Sequence, residues 1–342
     1  MDLKLLKELC DTPGVPGCEE NISHIVQREL KKFVDEIIID PMGNTLFKIN
    51  GSGGPKILVD AHMDEVGFII SHIEESGLIR VVPLGGIDPK LFYGQRLTVW
   101  GKVPIEVTVG AIPPHIRKDG DTAPEIDDCI IDSGIEYKKL KGLVKIGDPV
   151  TFSTSCIIDN KRVLSKALDD RVGLFVAIET VKKIKKRSLK CQLTISASVQ
   201  EEMGLRGARI INSRINPDFA IALEGTVAND LPGVPSHKAL ARLGKGPEIR
   251  ISDKYLIADR DFNNFIEKLA KSKKINYQLT AKNAGGTNST AFQVTGLGSK
   301  ATVLSVPVRY LHSPSSVCFL ADIQSTIELL SLTISNIQKF KP

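Results

Sequence analysis

Four short apolar runs constrain the fold of this chain more than any other feature: residues 56–61, 193–199, 219–223 and 301–308. Each is rich in Val, Ile, Leu and Ala and is bounded by turn or helix signals, so each reads as a buried strand. Strands of that kind belong to parallel or mixed sheets covered on both faces by helices. Every run also ends in acids or histidines: His62 and Asp64 after the first, Glu201-Glu202 after the second, Glu224 after the third and His312 after the fourth. Ligand crevices in open α/β sheets lie outside the carboxyl ends of the strands. Groups scattered between positions 62 and 312 are therefore expected to converge, and a bound metal accounts for so many ionisable side chains in one crevice.

Helical patterns at 171–184, 261–272 and 315–339 alternate with these strands. Ahead of them, 19–33 is amphipathic, and 36–40 with 45–49 reads as a hairpin around Pro41-Met42-Gly43-Asn44. Between 68 and 160 the texture changes to short strands at 68–73, 78–82, 96–100, 106–112 and 149–153, with turn punctuation and no convincing helix. That spacing predicts a small β barrel or sandwich. The expected fold is α/β: a mixed sheet flanked by helices, formed by 1–67 and 161–342, with an inserted small all-β domain at 68–160. A length of 342 residues is compatible with that division. Residues 119–132, rich in Gly, Asp and Pro, are the expected mobile loop.

The net charge of +5 sits mostly in short helical stretches such as 182–187 and 268–274, and aromatic residues make up only 5% of the chain. Solvated helix faces explain this better than a nucleic-acid surface. The six cysteines lack the paired short spacing of zinc ribbons or thioredoxin-like motifs, and Cys191 and Cys318 read as small buried hydrophobes. No run approaches the ~20 apolar residues that span a bilayer. The amphipathic start at Met1 to Leu9 lacks a secretory core, so a cytoplasmic location with reduced thiols is expected.

Read singly, each motif has a structural alternative. His62-Met63-Asp64 could be a strand-end histidine beside a solvated acid, although a carboxylate near a ligating imidazole also fixes its tautomer. Asp169-Asp170 opens a helix, but capping uses one carboxylate and the second adds repulsion unless a cation is present. Glu201-Glu202 is the most telling pair. Two adjacent glutamates in a crevice do not both ionise cheaply, so one is expected to hold a metal while the other moves a proton. Glu224 ends a strand, and His312 precedes Ser313-Pro314, which read as an N-cap and first helical residue. Together these oxygen and imidazole groups, without thiolate, suit zinc, cobalt or manganese and metal-assisted hydrolysis.

The segments His62-Met63-Asp64-Glu65-Val66-Gly67-Phe68, Ala167-Leu168-Asp169-Asp170-Arg171-Val172-Gly173, Glu201-Glu202-Met203-Gly204-Leu205-Arg206-Gly207-Ala208, Gly285-Gly286-Thr287 and Arg309-Tyr310-Leu311-His312-Ser313-Pro314 closely resemble the tetrahedral, or TET, aminopeptidases. That family includes deblocking and glutamyl aminopeptidases, and some members carry an endoglucanase label. The motifs occur in order over nearly the whole chain. The resemblance implies a catalytic α/β domain interrupted by a β domain used in dimerisation, two divalent ions, zinc or cobalt, and assembly of dimers into a tetrahedral dodecamer. It implies that His62 and Glu224 bind one metal, that Glu202 and His312 bind the other, and that Asp169 bridges, with a cis peptide from Asp169 to Asp170. It further implies that Asp64 orients His62 and that Glu201 is the general base.

Two positions depart from the common pattern of that family: Glu224 stands where Asp is frequent, and Asn288 replaces a frequent Asp near the expected substrate region. His115, in the inserted segment, reads as a surface histidine. The expected activity is removal of residues from the N-terminus of short peptides, with no nucleic-acid or membrane partner. Glycan hydrolysis is the competing enzymatic reading, and a glycosidase needs two carboxyl groups flanking the bond rather than histidine-bound metals. A binding protein that has lost catalysis would be expected to lack a ligand or Glu201, and none is missing.

Overall fold

The computed structural model describes residues 1–111, 115, 125–184 and 189–341. In chain order the strands are β1 (Glu36–Ile39), β2 (Thr45–Asn50), β3 (Lys56–His62), β4 (Gly67–Ile73), β5 (Ile79–Leu84), β6 (Arg96–Trp100), β7 (Pro104–Val109), β8 (Ile131–Asp132), β9 (Pro149–Phe152), β10 (Ile157–Ile158), β11 (Arg162–Ser165), β12 (Gln192–Ser198), β13 (Phe219–Val227), β14 (Glu248–Ser252), β15 (Gln278–Ala281), β16 (Lys300–Arg309) and β17 (Ser316–Phe319). The helices are α1 (Leu3–Asp11), α2 (Glu20–Leu30), α3 (Pro89–Phe92), α4 (Tyr137–Leu140), α5 (Leu168–Lys183), α6 (Arg206–Ile215), α7 (Arg260–Lys273), α8 (Asn288–Val294) and α9 (Leu320–Asn336).

Among the described residues eleven strands form one mixed sheet in the order β1-β2-β12-β3-β13-β16-β17-β11-β10, with β14 pairing to β15 and β16 off that path. Its centre, β12-β3-β13-β16, is parallel throughout. These are the four apolar runs, and their carboxyl ends therefore point the same way. Alternation sorts the two faces. Along β13, Phe219, Ile221 and Leu223 join the larger core with α1, α2, α5 and α9, while Ala220 and Ala222 join a second core with Ala208, Ile211 and Phe292 of α6 and α8. Each fully buried Leu, Ile or Phe contributes about 1.5–3 kcal/mol.

The segment between β3 and β10 closes into an antiparallel barrel, β4-β5-β8-β7-β6-β9. Its centre is aromatic: Phe68 lies 4.5 Å from Phe92 and 5.6 Å, edge-on, from Phe152 between ring centroids. Strand β10 pairs with β11 in the large sheet rather than in the barrel. Among the described residues no helix is long and apolar enough to cross a membrane.

Several local expectations are corrected. The helix expected over 315–339 starts only at Leu320, because Ser316–Phe319 pairs as a strand with β11 and β16. Ser313-Pro314 is accordingly a hairpin turn, with the Ser313 hydroxyl donating to the Tyr310 and Ser315 carbonyls. The barrel segment carries two four-residue helices, α3 and α4, where none was expected. Residues 119–124 of the loop expected at 119–132 lie outside the described residues; of the rest, Ile131–Asp132 forms β8 and Ile126 is buried.

Candidate metal centre

His62 ends β3, and its Nδ1 lies 2.9 Å from the backbone carbonyl oxygen of Asp64. His312 follows β16 with φ +55°, and its Nδ1 lies 2.9 Å from the carbonyl oxygen of Gly86, which comes from the barrel side of the molecule. A carbonyl oxygen only accepts, so each Nδ1 carries a proton, and in the neutral ring each Nε2 offers a lone pair. Both lone pairs face carboxylates. The Nε2 of His62 is 3.5 Å from Oδ1 of Asp169 and 3.7 Å from Oε2 of Glu224. That of His312 is 3.5 Å from Oδ2 of Asp169 and 3.0 Å from Oε1 of Glu202.

Asp169 thus turns one oxygen to each histidine. His62, Asp169 and Glu224 form one group and Asp169, Glu202 and His312 another, each with its ligand atoms within 4.8 Å of one another; His62, Glu201 and Glu202 form a third. Tetrahedral zinc with bonds of about 2.0–2.1 Å keeps its ligand atoms about 3.3 Å apart, which matches the separations here. The buried atoms without hydrogen-bond partners include His62 Nε2, Asp169 Oδ1 and Glu224 Oε1, which lie together at this point. Stranded acceptors of that kind are costly in a folded protein unless something binds them, so the residues fit a divalent cation. Glu224, one methylene longer than Asp, still reaches the group.

The electrostatics agree. Burial pushes the Glu224 and Glu201 carboxyls well above their ordinary value, and neighbouring carboxylates push them further. Asp169 moves the other way: burial opposes ionisation, but the His312 and His62 rings facing its two oxygens, when protonated, hold it below the usual carboxylate range.

The framework around these groups is specific. Asp170, joined to Asp169 by a cis peptide, caps α5 by accepting from Gly173 N at 3.0 Å and also accepts from His62 N at 3.3 Å. Capping therefore occupies Asp170 and leaves Asp169 to the site. Asp64 is fully buried, and its carboxylate accepts from Glu201 N and Glu202 N, both at 3.0 Å. Asp64 meets the His62 ring through its backbone carbonyl, while its carboxylate sits 3.5 Å from the ring and holds the two glutamate amides. Lys166, buried, reaches both oxygens of Glu65 at 2.7 Å and ties the start of α5 to the end of β3.

The group opens onto a cleft of about 660 Å³ whose walls include Leu205, Leu240, Arg250, Tyr255, Lys282 and Thr287, with Glu201 at its edge. Behind Arg250 and Lys282 lie the buried Glu248 and Asp253, which pair with them at 2.8–3.4 Å. A larger groove of about 810 Å³ beside Phe219 and Leu297 holds no histidine, so volume is not what marks the site.

Asn288 does not face substrate space. It is buried at the start of α8, where its amide donates to Asp60 at 2.8 Å and to Ser198 at 2.9 Å. Its neutrality tempers the Asp60 pocket, where burial raises the Asp60 carboxyl to about 6 against hydrogen bonds from Ser196, Asn288 and Ser198. His115 is exposed and outside the gathered set, and its neighbours 112–114 lie outside the described residues. Gly86, Glu65, Lys166 and Arg250 were not foreseen. A glycine acting through its carbonyl leaves no residue-type signature, and the other three are ordinary charged residues until the fold buries them.

A family model described as M42 glutamyl aminopeptidase matches residues 43–329. The glutamyl aminopeptidase of Lactococcus lactis is 33% identical, over 98% of this chain and 96% of its own. The solved structure of an aminopeptidase from the archaeon Desulfurococcus kamchatkensis superposes with a TM-score of 0.94 at 33% identity, covering 99% of this chain and 97% of the other. The TET1 peptidase of Pyrococcus horikoshii, which can assemble into a tetrahedron or a large octahedral shell, does so at 0.88 and 33% identity, covering 97% and 98%.

Proposed function

The chain belongs to the M42 glutamyl aminopeptidase family, and on that footing we propose that it is a dinuclear metallo-aminopeptidase that removes residues one at a time from the N-terminus of short peptides. The observation that carries this reading is the carboxylate of Asp169, whose two oxygens each face a different histidine Nε2. His62 and Glu224 would hold one divalent ion, zinc or cobalt, Glu202 and His312 the other, and Asp169 would bridge. Such a pair supplies Lewis-acid activation of water and of the scissile carbonyl.

The proton work falls to Glu201. Lying beside His62 at the cleft edge, it takes the proton of the attacking water and returns it to the leaving amine. Burial raises its carboxyl above the ordinary value, as suits a group that both takes and gives a proton. Asp64 keeps Glu201 and Glu202 in register through their amides. The substrate's free α-amine would be met at the acidic end of the cleft, which makes single-residue removal the outcome.

The residues 68–160 would act as the dimerising insert, and dimers would assemble into a tetrahedral dodecamer like that of the Pyrococcus horikoshii peptidase. A cytoplasmic setting suits the six free cysteines. The test is amino-acid release from a panel of unblocked short peptides by metal-loaded protein, chelated protein and Glu201→Gln. Stepwise N-terminal release that both treatments abolish is expected. Release of reducing sugar from glycans with no release from any peptide would overturn the reading.

A further inference from the structure

Residues 12–19, between α1 and α2, are bonded to the segments that carry the metal centre, the turn after β3 and helix α5. Gly14 O accepts from Glu65 N at 2.8 Å, and the buried Arg171 donates to the carbonyls of Leu9, Thr12 and Gly14 at 2.6, 2.8 and 3.3 Å. At the end of this loop stands Glu19, only 5% exposed, which belongs neither to the ligand groups nor to the cleft wall. Its Oε1 accepts from Gln200 N at 3.1 Å.

Gln200 has φ +55°, in the left-handed region that residues with a Cβ seldom adopt. The next two amides, of Glu201 and Glu202, go to the two oxygens of Asp64. Three consecutive amides are therefore each held by a carboxylate oxygen, from two buried acids on different loops. Downstream the turn is closed by Leu205 N to Glu201 O at 2.9 Å and Arg206 N to Gln200 O at 3.2 Å, leading into α6. Only the Glu19 bond reaches the left-handed residue by its N–H. Burial pushes the Glu19 carboxyl up to about 7, with backbone amides pulling against it. Keeping such a group buried is costly unless its acceptor function is used.

We propose that Glu19 is a positioning residue for Glu201: by holding the Gln200 peptide in its left-handed turn, it aims the Glu201 carboxylate into the cleft. This rests on Glu201 being the general base. Displacement of a catalytic group by about 1 Å costs about 100-fold in rate, so the contact acts on turnover rather than on substrate affinity.

The experiment compares Glu19→Ala, Glu19→Gln, Glu19→Asp and Glu201→Gln in the full chain, reading kcat, KM, bound metal and melting temperature. Glu19→Ala is expected to lose about 10- to 100-fold in kcat, with KM within about threefold and metal content unchanged. Glu19→Gln keeps a carbonyl acceptor for the Gln200 amide and should recover most of the turnover. Glu19→Asp keeps the charge but falls one methylene short, and should stay slow; it decides the matter if the alanine variant does not fold. Full turnover in Glu19→Asp, or equal losses in the Gln and Asp variants that track lost metal or lost folded protein, would overturn the proposal. If Glu201→Gln is inactive while the Glu19 variants turn over normally, only the role of Glu19 fails. If Glu201→Gln itself retains full activity, the general-base reading fails with it.

Discussion

Replacing Asp64 by Asn changes one atom and tests the framework of the site. Both carboxylate oxygens accept a backbone amide at 3.0 Å, from Glu201 and Glu202, in a fully buried position. In Asp64→Asn one of them becomes an NH2, so in either rotamer one amide faces a donor. Losing a charge-assisted hydrogen bond costs about 1.5–3 kcal/mol, and stranding the amide a further ~1–3 kcal/mol. Part of this is offset because no charge need be buried, which leaves a net loss of about 3 kcal/mol. With an unfolding entropy of about 2.1 cal/mol/K per residue over 342 residues, that loss lowers the melting temperature by about 4 °C. The carbonyl that orients His62 belongs to the backbone and survives the change. Metal binding through His62 and Glu224 should therefore hold while kcat falls about 100-fold through misalignment of Glu201 and Glu202. The assay is calorimetry at fixed metal and protein concentration beside steady-state kinetics. A variant with wild-type turnover and melting temperature would refute the reasoning.

Chelation should abolish peptide hydrolysis and lower the melting temperature, since a ligand at 1,000 times its Kd stabilises the native state by about 4 kcal/mol; zinc or cobalt should restore both. An unchanged melting temperature after verified metal removal would count against the buried atoms of His62, Asp169 and Glu224 being ligands. Acid stability should depend on Glu248. Burial alone would raise its carboxyl, but Arg250 and Lys282 outweigh that and hold it far below its ordinary 4.5. A depressed native pKa means that its contribution is present above about pH 4.5 and is lost as pH falls toward the native value. Unfolding measured from pH 6 down to pH 3 should show a shallower acid slope in Glu248→Gln, and an unchanged slope would contradict the assignment.

The parallel centre of the sheet was legible because buried strands announce themselves locally. Runs 56–61, 193–199, 219–223 and 301–308 became β3, β12, β13 and β16, and the chemistry at their ends was visible in the same stretches. The change of texture after residue 67 marked the barrel for the same reason. Ser313-Pro314 was misread because both a helix start and a hairpin turn use Ser and Pro, and only pairing with β11 decides between them. Asn288 was misplaced because the motif showed its position in the chain but not that Asp60 and Ser198 lie on the other side of it. Gly86 and Glu19 were invisible, since each acts on a partner more than 150 positions away, His312 and Gln200, through a backbone group. Side-chain chemistry and periodicity belong to the residue and can be read one by one. Which backbone carbonyl fixes a histidine, and which carboxylate holds a strained turn, depends on contacts between distant segments that exist only once the sheet and barrel have packed.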